Sequence, residues 1–93
     1  AYLTVPVYAE FHRWLGREEQ LADLWRFWGE GDRKAAVESI PDSLVDELIV
    51  WGSPEACREH VGRYIANGVT TPALAVLPFG LDPRQAIRDL APR

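Results

Sequence analysis

Cys57 and His60 stand three residues apart, so on a helix their thiol and imidazole would lie on neighbouring positions of one face. Two such groups can start a metal site, but zinc takes three or four protein ligands. The chain has one cysteine, and its only other histidine is His12. No metal site is therefore expected. A Cys–His nucleophilic pair meets a similar objection, because no third residue is placed to orient the imidazole. Cys57 reads instead as a small core residue. His12, flanked by Phe11 and Trp14, reads as a partly exposed helix residue.

Other chemistry-bearing residues have equally plain readings. Gly29, Gly31, Gly52, Gly68 and Gly80 match neither a phosphate-binding loop nor a dinucleotide fingerprint. Trp25 and Trp28 could stack on a ligand, but at helical spacing they suit a core or an interface. The Gly52–Ser53–Pro54 turn precedes a helix, whose first N–H groups can bind an anion or simply be capped by Ser53. No residue is assigned as catalytic, and cofactor-binding residues are unknown at this level.

The elements that would position these residues are mostly helices. Pro6 in a first turn opens a helix carrying Val7, Phe11, Trp14 and Leu15 on one face, and Gly16 closes it. Leu21, Leu24, Trp25 and Trp28 recur at i, i+3, i+4 and i+7, giving a second helix over about 18–28 with Glu18 and Glu19 at its positive end. Asp32 caps a third helix through Ala35, Ala36, Val37 and Ile40, which Pro41 interrupts. A fourth runs from Asp42 to Leu48 or Val50 with Leu44, Val45 and Leu48 inward; the run Leu48–Trp51 itself suits helix or strand.

Ser53 then caps a helix with Pro54 at its first position, and Cys57, Val61, Tyr64 and Ile65 share a face. Gly68 stops it. The uniformly apolar run Ala73–Leu77 predicts a strand covered on both faces. Asp82 and Pro83 open a last short helix to about Leu90. The expected fold is mainly α: four to six short helices with one short apolar strand near the C-terminus.

Composition narrows the function class. With 93 residues the chain makes one small unit, which buries only about 60–65% of its unfolded surface unless a partner adds to it. A hydrophobic content of 47% with 26% charged residues is that of an ordered globular protein. Four tryptophans in so short a chain call for extensive burial. A net charge of −4 with no basic run argues against nucleic acid and against an anionic membrane surface as partner. No apolar stretch reaches the ~18 residues of a membrane span. The single cysteine fits a cytoplasmic location. The start AYLTVPVY lacks both an initiator methionine and the basic region of a signal peptide, as expected of a processed chain or a piece of a longer one.

Across Gly52–Ser53–Pro54–Glu55, Tyr64 and Asn67–Gly68–Val69, the sequence resembles the C-terminal part of the luciferase-like oxidoreductases, and within them the class dependent on coenzyme F-420, a deazaflavin. The segments Val5–Tyr8, Phe11–Gly16, Gly31–Lys34 and Ile40–Asp42 resemble a variable helical insertion of that class. The resemblance covers nearly the whole chain. It implies the C-terminal piece of a (β/α)8 barrel, a fold of about 250 residues, with 1–50 as helical insertion and 51–93 as the last helix–strand unit and terminal helix.

It implies further that a full-length parent uses coenzyme F-420 or FMN in hydride transfer, or monooxygenase chemistry, on a small organic substrate. None of these cofactors is expected on this chain alone. Only the loop Pro78–Phe79–Gly80 would reach the active-site face, and no family catalytic motif is matched. The partner expected is the missing remainder of the barrel or further copies of the chain in a homo-oligomer. The alternative reading is an independent helical association module without catalysis, motivated by the tryptophans and the unpaired strand.

Overall fold

The computed structural model describes residues 1–92, and every regular element among them is helical. A 3-10 turn at Tyr2–Thr4 precedes six helices: α1 (Pro6–Trp14), α2 (Glu18–Gly29), α3 (Arg33–Glu38), α4 (Asp42–Leu48), α5 (Pro54–Ala66) and α6 (Pro83–Leu90). The chain divides into two units, Ala1–Leu48 and Ile49–Arg93.

Local chemistry explains where the helices begin and end. Pro6, Pro54 and Pro83 occupy first-turn positions, where a missing N–H removes no helical hydrogen bond. Asp32 accepts from the Ala35 N–H at 3.1 Å, Ser53 from the Ala56 N–H at 3.2 Å and Asp82 from the Arg84 N–H at 3.1 Å. At the end of α5 the Gly68 N–H donates to the Ile65 carbonyl with Gly68 at φ 104°, a left-handed conformation that costs glycine nothing.

The first unit has the core. Leu21, Leu24, Ala36 and Leu44 are buried together, with Leu3, Trp25, Phe27, Trp28 and Ile40 packed around them. Burying leucine side chains of this size contributes about 2 kcal/mol each. Trp25 satisfies its indole N–H on the Leu3 carbonyl at 2.9 Å, which ties the N-terminal turn to α2. The guanidinium of Arg13 lies over the Trp25 ring at 4.4 Å and that of Arg33 over Trp28 at 3.6 Å, so both indoles are also roofed by cations.

In the second unit α5 and α6 are joined by Arg58, which donates to the Asp89 carbonyl and pairs with Glu55 at 3.1 Å. None of its described residues is buried.

Three expectations are corrected. The strand at Ala73–Leu77 is not present: among the described residues 72–78 form no regular structure and there is no strand at all. A strand exists only through a hydrogen-bonded neighbour, and neither Leu48–Trp51 nor any other described segment supplies one; Pro72 and Pro78, without N–H groups, bracket the run. The mainly helical character stands, but the fold here is helices and irregular segments only.

The second correction concerns His12 on α1. Its apolar stripe faces outward, with Val7, Phe11 and Trp14 exposed, whereas Ala9 and His12 are buried. Small Ala9 permits close approach, and His12 finds a polar partner inside, so the opposite face packs. His12 is therefore not the partly exposed residue anticipated. The third is Cys57, which sits half-buried on α5 in a unit without buried residues, rather than in a core. On α4 Leu44 is wholly buried, but Leu48 is exposed.

Candidate functional site

The start of α5 puts the main chemistry candidates within two turns. Ser53 takes the Ala56 N–H, so one of the free donors of the first turn is already satisfied. Glu55 adds a carboxylate in that turn. Its pKa is held below the usual carboxylate value first by its own backbone N–H, against an opposing effect of desolvation, with further lowering by Arg58 and Ser53. An incoming anion would meet that negative charge. The turn works as a helix cap.

Further along α5, Cys57 lies 3.8 Å from the Gly52 carbonyl, a weak thiol contact. His60 stacks face to face on Tyr64, with ring centroids 5.5 Å apart and planes 3° from parallel. The imidazole is thus engaged with an aromatic ring rather than oriented toward the thiol by a carboxylate. Among the described residues no group of three or more His, Cys, Asp or Glu side chains is placed to hold a metal ion.

The loop Pro78–Gly80 is a tight turn, with the Phe79 N–H on the Leu77 carbonyl at 3.0 Å and the Leu81 N–H on the Pro78 carbonyl at 3.1 Å. Phe79 projects from it, 86% exposed, the most exposed of the large apolar side chains described. A groove of about 520 Å³ lies beside α6, lined by Leu74, Val76, Ile87, Leu90, Ala91 and Pro92. Sequence reasoning did not anticipate it, because it brings alternate residues of an irregular run against an i, i+3 pair of α6. Its volume falls in the range of ligand sites, but such sites also carry a few polar groups that fix orientation. The side chains that line this one are all apolar.

In the first unit Trp25 and Trp28 belong to the shell around the core, which answers the question of a stacking platform in favour of packing. His12 is the one buried polar residue there. Its Nδ1 lies 3.1 Å from Arg17 Nη1, and Arg17 Nε donates to Glu47 at 3.1 Å. Burial, and secondarily the Arg17 charge, lower the His12 pKa from its ordinary value.

None of these places assembles a nucleophile, a base and an electrophile, so membership has to be decided by comparison with known proteins. The sequence model of the luciferase-like monooxygenases matches residues 1–71, which span α1 to α5 and the Gly68 stop. The chain belongs to the luciferase-like monooxygenase family.

A relative from Mycobacterium tuberculosis, provisionally named a coenzyme F-420-dependent oxidoreductase, is 29% identical over 84 residues. That alignment takes in 90% of this chain and 23% of the relative, so this luciferase-like chain spans about a quarter of its relative's length. No solved structure matches. The groove beside α6 lies beyond the family match, whereas His12, Cys57 and His60 lie inside it. Among the described residues no helix is long and apolar enough to cross a membrane.

The residues present do not fit a whole deazaflavin or flavin. Such a cofactor needs polar groups at its ring edge and at its phosphate; the groove offers no polar or charged side chain for them, and the α5 turn carries its own carboxylate.

Proposed function

We propose that this chain is one part of a larger luciferase-like oxidoreductase, which passes hydride between a deazaflavin or flavin and a small organic substrate. In this reading the remainder of the parent holds coenzyme F-420 or FMN, and the 93-residue chain contributes helical packing and the Phe79 loop. The chain does not catalyse alone. The observation that carries the reading is the alignment in which 90% of this chain accounts for 23% of a relative provisionally named F-420-dependent.

Titration of coenzyme F-420 and FMN against the purified chain, followed by cofactor fluorescence, tests it. The expected result is no saturable binding. Stoichiometric, tight binding of either cofactor would overturn the inactive-part reading.

A second reading, an association module, draws on the outward stripe of α1. Val7 is 66% exposed, Phe11 51% and Trp14 79%, and apolar surface of this kind marks contact sites. It is compatible with the first if the exposed stripe is covered by the rest of the parent or by a second copy. Light scattering separates the cases: a folded monomer at micromolar concentration sinks self-association.

A further inference from the structure

The residues at the corner of α1, α2 and α4 do more than fill space. His12 is 8% exposed on the inner face of α1. Arg17, in the turn before α2, reaches two acceptors with one guanidinium: Nη1 contacts His12 Nδ1 at 3.1 Å and Nε contacts Glu47 on the last turn of α4 at 3.1 Å. A guanidinium has donors only, so this contact requires His12 to be neutral, with its proton on Nε2 and its lone pair on Nδ1. Adding a proton to His12 would replace that lone pair with a second cation facing Arg17.

The geometry points to a proton-sensitive tether in which neutral His12 steadies Arg17, Arg17 holds Glu47, and protonation of His12 releases the last turn of α4 from the α1–α2 corner. The other charges nearby do not compensate. Arg13 is paired with Glu10 on its own helix and lies 3.5 Å from Glu18 at the start of α2, and those carboxylates are exposed. Glu47 is the carboxylate that α4 brings to Arg17.

The sign follows from linkage. The folded-state pKa of His12 is lowered by burial and then by Arg17, so the unfolded chain takes up the proton more readily. The tether is complete above the ordinary histidine value of 6.5 and is lost as pH falls through the lowered value that His12 has in the folded chain. For each unit by which the pKa is lowered, the unfolded-to-folded ratio rises roughly tenfold on acidification.

The test uses the intact chain in a His60→Gln background, leaving His12 as its histidine. Imidazole NMR gives the His12 titration between pH 7.5 and 5.5, above the range where carboxylates ordinarily protonate, and hydrogen exchange follows the Leu48 amide over the same range. The expectation is that His12 titrates below 6.5 and that exchange at Leu48, corrected for intrinsic pH dependence, accelerates severalfold in step with it. Glu47→Ala, which removes the acceptor on α4 and keeps both partners of the His12–Arg17 contact, should make that exchange fast throughout and remove its pH dependence. His12 titrating at its ordinary value, Leu48 exchange indifferent to the His12 proton, or a pH dependence that persists in Glu47→Ala would each overturn the tether. If Glu47→Ala fails to fold, the two readouts in the His60→Gln background alone decide the matter.

Discussion

The units Ala1–Leu48 and Ile49–Arg93 are both helical, yet they are held together by different means. In the first, α2, α3 and α4 converge on Leu21, Leu24, Ala36 and Leu44, which are buried together. In the second, α5 and α6 have good caps and an arginine bridge from Arg58 to Asp89, but no described residue is buried. Caps and hydrogen bonds choose where helices start; burial decides whether they persist. Under the proposed function, it is the second unit that the rest of a larger parent would complete.

The largest effect expected from breaking this contrast is in the core. Leu21→Ala or Leu44→Ala removes a wholly buried side chain and should destabilise the first unit by about 2–5 kcal/mol, read by urea denaturation. Ile87→Ala, at a residue 59% exposed in the second unit, should shift the same curve by less than about 0.5 kcal/mol. Equal shifts would erase the distinction between the units.

Smaller effects sharpen it. Trp25→Phe keeps an aromatic ring, though a smaller one, but removes the donor to the Leu3 carbonyl, and should cost about 1 kcal/mol or more. The caps give a matched pair: Asp32→Ala and Ser53→Ala each remove one side-chain acceptor at a helix start. In the first unit the loss of about 1 kcal/mol should appear as a lower urea midpoint. In the second it should appear as lost helicity at 222 nm without a cooperative shift. At the bottom of the scale, Lys34→Ala breaks a 4.0 Å pair with Glu38 between exposed side chains and should change stability by no more than about 0.5 kcal/mol.

Helix positions were legible in the sequence because their signals are local. Asp32, Ser53 and Asp82 cap the helices they were expected to cap, and Gly68 adopts the left-handed stop. The strand was not legible, because five apolar residues at Ala73–Leu77 specify burial without supplying the neighbour that would make them a ladder. Which face of α1 packs was not legible for a related reason: periodicity finds the stripe Val7, Phe11, Trp14 but does not say whether this chain covers it. His12 could have been recognised as interior only by pairing it with Arg17, five residues on, and with Glu47, thirty residues beyond that. The groove beside α6 depends on how an irregular run drapes over a helix, which no spacing rule encodes.

The most direct test of the account is native-state hydrogen exchange on this chain and on a longer in-frame polypeptide that contains it. The account predicts that α2 amides around Leu21 and Leu24 are protected in both, whereas α5 and α6 are nearly unprotected in the 93-residue chain and gain protection in the longer one. Protection of α5 and α6 equal to that of α2 in the short chain would contradict it.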